Sequence, residues 1–143
     1  MNFYSKIVIF IISGLVFGCK SNKITIKYDD ESRYENVEKG MIADKNKEYV
    51  TILLESYFNS QVKGFVGSKL VFNKSIKTEE SLGTTYEYFF YNYVKNQKLP
   101  KIRIENEGEV AEIEIIKKYK LIYIYKHNDN WTIIYSNVYP TYE

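Results

Sequence analysis

Residues 120–139 read KLIYIYKHNDNWTIIYSNVY, and this stretch decides the fold of the chain. It opens with a run of aromatic and β-branched residues, which favour strands. The polar run over 127–130 then supplies the residue types of a tight loop. A second apolar run follows directly. The pattern predicts a β-hairpin, with one strand at 120–126 and a return strand at 131–139.

The residues before this hairpin also follow a period of two. Ile102 and Ile104 alternate with charged residues, and a turn follows at 106–108. Alternation resumes over 110–116. Earlier in the chain, 69–72 has the composition of one short strand. The sequence therefore predicts a sheet assembled from consecutive antiparallel hairpins.

Residues 43–62 favour a helix instead. Their apolar side chains recur at steps of three and four, which is the spacing of a helical stripe; they are Tyr49, Val50, Leu53, Leu54, Tyr57, Phe58 and Val62. Asp44 is the predicted N-cap, and Gly64 is the predicted end of this helix.

A second helix is predicted over 82–98, where the stripe consists of Tyr86, Phe89, Phe90, Tyr93 and Val94. The aromatic density of this segment also suits a strand, but its length favours a helix, and Pro100 would end it. Two helices and a sheet of hairpins predict an α+β domain over 42–143, with a curved antiparallel β-sheet packed against two or more helices.

The first 18 residues form a separate unit. Lys6 precedes an apolar run over 7–17, which is shorter than the roughly 20 residues that a membrane span needs. This pattern, followed by the small residue Gly18, is typical of a secretory signal peptide.

The end of the leader resembles a bacterial lipoprotein signal. The motif consists of Leu15, Val16, Phe17, Gly18 and Cys19, and Cys19 is the only cysteine of the chain. The resemblance implies cleavage after Gly18 and lipidation of Cys19, so that acyl chains hold the protein on a membrane. An ordinary secreted protein with an incidental cysteine is the alternative.

Residues 19–41 are polar and charge-dense, with one β-like patch at 24–28, and they predict a tether between the lipid and the domain. The resemblance implies a cell-envelope location. Because Lys20, rather than an aspartate, follows Cys19, the pattern resembles lipoproteins of the outer membrane that face the periplasm in a Gram-negative cell.

The predicted domain resembles the nuclear-transport-factor-2-like fold, a cone of curved sheet packed on helices. The resemblance rests on the two predicted helices, the turn at 106–108 and the final hairpin with Trp131. It implies a pocket at the open end of the cone, which in some members of that fold catalyses isomerase, dehydratase or cyclase reactions.

Composition excludes several kinds of function. The 20 basic and 18 acidic residues nearly balance, which argues against a nucleic-acid partner. His127, the only histidine, is predicted in a solvated loop, so no spacing of metal ligands exists and no metal site is expected. No phosphate-binding glycine loop or nucleophile with a nearby base is present, so we expect neither a cofactor nor a catalytic residue of that kind.

Five glutamates cluster in the middle of the chain, at Glu105, Glu107, Glu109, Glu112 and Glu114. Strand alternation places Glu112 and Glu114 on the outward face, opposite the apolar residues. We expect them to form exposed cross-strand ion pairs with lysines of the segment that follows, namely Lys117, Lys118 and Lys120. A partner-binding acidic patch is the alternative.

The chain is rich in tyrosine, whose apolar ring and polar hydroxyl suit binding surfaces. One predicted strand face carries Tyr119, Leu121, Tyr123 and Tyr125, and the paired strand carries Trp131, Ile133, Tyr135 and Tyr139. If the two faces coincide, they form either the core or a pocket wall. The candidate ligand-binding residues are Tyr86, Tyr93, Tyr123, Tyr125, Trp131 and Tyr135.

Two functions remain open at this point. The first is a non-enzymatic, lipid-anchored binding module that holds a small molecule or a protein partner, of which an immunity-type lipoprotein would be a special case. The second is a small isomerase-like or cyclase-like enzyme, in which a pocket tyrosine polarises a carbonyl and Glu55 or Glu87 takes the proton. A purely structural envelope component is a third possibility.

Overall fold

A computed structural model describes residues 22–29, 37–38 and 41–141. The secondary structure of this part of the chain consists of nine β-strands, with no α-helix among the described residues. The strands are β1 Lys23–Tyr28, β2 Tyr49–Leu54, β3 Gln61–Val66, β4 Lys69–Ser75, β5 Glu87–Asn92, β6 Ile102–Asn106, β7 Glu109–Ile113, β8 Leu121–His127 and β9 Asn130–Ser136.

The strands form two sheets. The five-stranded sheet has the order β1-β9-β8-β2-β5, and the four-stranded sheet has the order β4-β3-β6-β7. The four-stranded sheet is antiparallel throughout. In the five-stranded sheet, β1 runs parallel to β9 and β2 runs parallel to β8, whereas the other pairs are antiparallel.

One hydrophobic core lies between the sheets. Every second residue of β2, from Val50 through Ile52 to Leu54, points into it, as do Ile102 and Ile104 of β6. Because both sheets contribute alternate side chains to this layer, the architecture is a β-sandwich. Trp131 belongs to this core and has no exposed surface.

The predicted α+β fold is wrong, because both predicted helices are replaced by strands. Residues 43–62 form β2, a connection to the other sheet and the start of β3. β2 is a central strand with apolar residues on both faces, so its sequence lacks the period of two that marks a half-buried strand. Asp44 accepts a hydrogen bond from the Asn46 amide in a turn, and Gly64 lies inside β3.

The second predicted helix is also absent, since 82–98 contains only β5 between two loops. Tyr86 has a positive φ of 56°, which a helix does not allow. Phe89 points into the core, whereas Phe90 is 60% exposed, as alternation along a strand requires. Without these helices, the cone of the nuclear-transport-factor-2-like fold does not form.

The two predicted hairpins are confirmed, but the single sheet predicted from them is wrong, because they lie in different sheets. β8 and β9 pair in register from Leu121 opposite Ser136 to His127 opposite Asn130. β6 and β7 pair around a turn at 107–108, and the short strand predicted at 69–72 is β4. The β-like patch at 24–28 is β1, which pairs with β9 at the edge of the five-stranded sheet.

The predicted signal peptide and Cys19, the predicted lipidation site, lie outside the described residues. Within the described part of the chain, no helical segment has the length and apolar character needed to cross a membrane.

Candidate functional site

The five-stranded sheet carries a groove on its outer face, away from the sandwich core. Two adjoining cavities of about 380 and 390 Å³ form it, and they share Glu55, Tyr139 and Pro140 in their linings. We call this feature the tyrosine groove. Its floor consists of the outward side chains of the central strands, which are Leu53, Leu121, Tyr123, Tyr125 and Ile134.

Strand alternation explains this floor. Along β2, Leu54 points into the core, so its neighbours Leu53 and Glu55 point outward into the groove. Leu53 lies opposite Tyr88 of β5 on one side and Tyr123 of β8 on the other. The apolar floor is therefore a second, smaller hydrophobic cluster that is only partly covered.

The loop at 76–86 forms one wall of the groove. A turn closes it, because the Gly83 amide donates to the Glu79 carbonyl at 2.8 Å and the Glu79 amide donates to the Thr84 carbonyl at 2.7 Å. The Thr85 hydroxyl donates to the Leu54 carbonyl and fastens the loop to the end of β2. These bonds hold Tyr86 at the rim, where it is 48% exposed.

The segment after β9 forms the other wall. The Tyr139 amide donates to the Met41 carbonyl at 2.8 Å, and the Tyr123 hydroxyl donates to the Val138 carbonyl. The hydroxyls of Tyr49 and Tyr139 share a hydrogen bond of 3.0 Å. This bond, with partial burial, raises the pKa of the Tyr139 phenol, so the Tyr139 hydroxyl stays protonated and uncharged at neutral pH.

The groove is acidic. The charged side chains in its lining are three carboxylates, Asp29, Glu55 and Glu87, and no lysine or arginine lines either cavity. Glu55 is 4% exposed. Glu87 accepts a hydrogen bond from the Lys74 ammonium at 2.9 Å, and that lysine lies outside the lining. The apolar floor suits a ligand with an apolar body.

The structure divides the predicted binding residues into two groups. Tyr86, Tyr123 and Tyr125 line the groove. Trp131 and Tyr135 are buried in the core between the sheets, with exposures of 0% and 2%. Tyr93, also buried, accepts a hydrogen bond of 2.9 Å from the Lys120 ammonium. The six residues therefore do not form one pocket.

The two predicted strand faces of the final hairpin do not coincide. Trp131 lies opposite Lys126 and Tyr135 lies opposite Ile122, so both share a face with the even-numbered residues of β8. Tyr123 and Tyr125 are on the opposite face. Tyr139 follows the end of β9 and lies with Tyr123 on the groove side. A register prediction across the hairpin loop would have revealed this separation.

Lys126 organises a second polar cluster at the end of the sandwich. Its ammonium, which is almost fully buried, donates to Asn106 at 2.8 Å and to Glu107 at 2.9 Å, and it lies 3.4 Å from Glu109. The hydrogen bond and charge of Lys126 lower the pKa of the Glu107 carboxyl. A wider cleft of about 860 Å³ opens beside these residues. Apart from Val110, the side chains that line this cleft are polar or charged, so we place the candidate site in the groove, which has an apolar floor.

The outward orientation predicted for Glu112 and Glu114 is confirmed, since both are exposed. Their arrangement with the lysines differs from the predicted one. The Lys101 ammonium lies 3.8 Å from Glu112, and Lys120 is buried against Tyr93 rather than placed on the sheet surface.

The described residues show no group of three or more histidine, cysteine, aspartate or glutamate side chains arranged to hold a metal ion. His127 is the last residue of β8, directly before the hairpin turn, and the centre of its ring is 5.0 Å from that of the exposed Tyr57 ring. The expectation that the protein uses no metal or cofactor stays a prediction.

No protein family, curated protein or solved structure matches the chain.

Proposed function

We propose that this protein is a lipid-anchored binding module of the bacterial cell envelope, which holds its ligand in the tyrosine groove. The observation that carries this proposal is the groove itself, an apolar floor between walls fixed by hydrogen bonds, with exposed tyrosine rings at its rim. Pre-formed concave sites of this kind are the usual location of ligand binding.

The anchor part of the proposal rests on the sequence motif that ends at Cys19. Four residue steps separate Cys19 from Lys23, the first residue of β1, and they can reach at most about 14 Å. A lipid on Cys19 would therefore hold the sandwich close to the bilayer. Mass spectrometry of the native protein tests this: we expect a chain that begins at an acylated Cys19, whereas an intact Met1 would contradict it.

The binding part is tested with two matched variants of β5. Tyr88 and Phe90 are equally exposed, at 60%, and point to the same outer face, but only Tyr88 lines the groove. The soluble chain from residue 20 is used to capture ligands from an envelope extract of its own cell. We expect the wild type to capture a component that the Phe90→Ala variant also captures but the Tyr88→Ala variant does not. A component captured equally by both variants would show that the groove is not the site.

Glu55 supports a second candidate function. A buried carboxylate in the lining of a tyrosine-rich cavity is an arrangement that general-base catalysis uses, as in the isomerase-like or cyclase-like alternative. Glu55→Gln keeps the shape and removes the base. Under the binding proposal this variant still captures the same component chemically unaltered, whereas turnover by the wild type that is lost in Glu55→Gln would assign an enzyme.

A further inference from the structure

The charged loops of the sandwich are segregated by end. One end carries the segments 44–48, 67–69, 93–101 and 114–120, which contain eight exposed lysines and three carboxylates, and Asp29 after the end of β1 adds a fourth carboxylate there. The loops at the other end, 55–60, 76–86, 107–108 and 127–129, contain five carboxylates and one lysine. The charges of the described loops are therefore segregated along the axis of the strands. We call the first end the lysine end.

Hydrogen bonds join the four segments of the lysine end into one surface. The Tyr93 amide donates to the Glu48 carbonyl at 3.0 Å, and the Gly67 amide donates to the Lys101 carbonyl at 2.8 Å. The Lys117 ammonium lies 5.8 Å from the centre of the Tyr93 ring. The eight lysines therefore act as one positive region; they are Lys45, Lys47, Lys69, Lys95, Lys98, Lys101, Lys117 and Lys118.

An apolar cavity opens within this positive region. It has a volume of about 540 Å³, and Val66, Val71, Leu99 and Pro100 supply much of its lining. Its charged lining residues are Lys69 and Lys98, and no carboxylate lines it. This is the reverse of the tyrosine groove, whose charged lining residues are all carboxylates. The charge at the rim of this cavity therefore favours an anionic ligand.

We propose that the lysine end docks a partner protein through an acidic segment that inserts one apolar side chain into the cavity between Lys69 and Lys98. An apolar pocket with a charged rim is the arrangement that protein interfaces use for a central anchor residue. This surface is distinct from the tyrosine groove, and the proposal does not depend on binding there.

Two observations favour a protein over an anionic bilayer as the partner. A flat bilayer surface with phosphate headgroups would bind the lysines, but it would leave the apolar cavity empty. In addition, β1 enters the sheet at the acidic end, because Lys23 pairs with Asn130 beside the β8–β9 turn. In the lipid-anchored form proposed above, the lysine end would face away from the anchoring membrane.

The test uses the full chain in neutral bicelles and a synthetic peptide of four glutamates around one 4-fluorophenylalanine, with binding followed by the fluorine signal of the peptide. Lys69→Glu/Lys98→Glu reverses the rim of the cavity. Lys23→Glu/Lys77→Glu is the matched control, since it reverses two exposed lysines at the opposite end of the sandwich.

We expect saturable binding that weakens about tenfold or more in Lys69→Glu/Lys98→Glu, stays unchanged in the control variant and falls as salt is added. A peptide with glycine in place of the fluorophenylalanine should bind less well. The proposal is overturned if the acidic peptide does not bind, or if both variants weaken it equally. Sedimentation with phosphatidylglycerol vesicles that depends on Lys69 and Lys98, without peptide binding, would assign this end to a bilayer instead.

Discussion

The close contact at Gly64 gives the sharpest test of how the two sheets pack. A Cβ atom at this position would lie 2.8 Å from Cζ of Phe89 and 3.1 Å from Cβ of Phe72. These two rings stack at 5.4 Å across the core. The ring of Phe89, on the five-stranded sheet, thus occupies the space that a side chain at position 64 of β3 would need.

Gly64→Ala should therefore destabilise the protein. Overpacking a well-filled core costs about 1–3 kcal/mol, and the reduced freedom of the unfolded chain offsets this by about 0.4–1 kcal/mol. We expect a net loss of about 1–2 kcal/mol in the free energy of unfolding. Urea denaturation followed by the fluorescence of Trp131, the only tryptophan and fully buried, measures it. Lys63→Ala, on the exposed side of β3, should change little.

The decisive result is the coupling energy between a change at Gly64 on one sheet and a change at Phe89 on the other. Phe89→Leu removes the ring atoms that the new methyl group meets, so the double variant Gly64→Ala/Phe89→Leu should be more stable than the sum of the single changes predicts. Strict additivity would refute the packing, because it would mean that residues 64 and 89 do not touch. Equal stability of Gly64→Ala and the wild type would refute it as well.

Three further predictions concern ionisable side chains. Lys126→Met should cost roughly 3–5 kcal/mol, since it leaves the Glu109 carboxylate without its cation, and adding Glu109→Gln should recover part of the loss in a denaturant titration. Lowering the pH below about 4.5 should remove the stabilisation that depends on the lowered pKa of Glu107, and Glu107→Gln should abolish this part of the acid sensitivity in an acid titration monitored by circular dichroism. Burial raises the pKa of Tyr135 to about 12, so the unfolded chain loses this proton first and stability should fall between pH 10 and 12; Tyr135→Phe should flatten that decline in an alkaline unfolding series.

The sequence predicted best where strand pairs are local and one face is buried. The final hairpin has β-branched and aromatic strands around a polar turn, and its register follows from that turn. The alternation over 102–116 was equally informative, because Ile102 and Ile104 point inward while charged neighbours point outward. These signals depend only on the period of two and on the residues of the turns.

The helix predictions were wrong where that period is lost. β2 lies between β8 and β5 and has apolar residues on both faces, since Leu54 packs in the core and Leu53 lies in the floor of the groove. The resulting run of apolar residues also matches the spacing of an apolar stripe on a helix. The β-branched and aromatic composition of Tyr49–Leu54 was the signal for a strand, and it was outweighed by spacing.

The groove was only partly predictable. Tyr86, Tyr123 and Tyr125 were identified by residue type, and Glu55 was identified as a possible base. The walls were missed because they depend on long-range contacts, such as the Tyr49–Tyr139 hydrogen bond between residues 90 positions apart. The segregation of lysines at one end likewise exists only after folding, since these residues are scattered from 45 to 118 in the sequence.

Contacts of Leu53 provide the most direct test of the sandwich and of the groove built on it. In the five-stranded sheet, Leu53 pairs with Tyr88 on one side and Tyr123 on the other. Nuclear Overhauser contacts from the Leu53 methyl groups should therefore reach both tyrosine rings. If the contacts ran instead to Tyr49 and Tyr57, one helical turn away on either side, both the sheet and the binding site on its outer face would be contradicted.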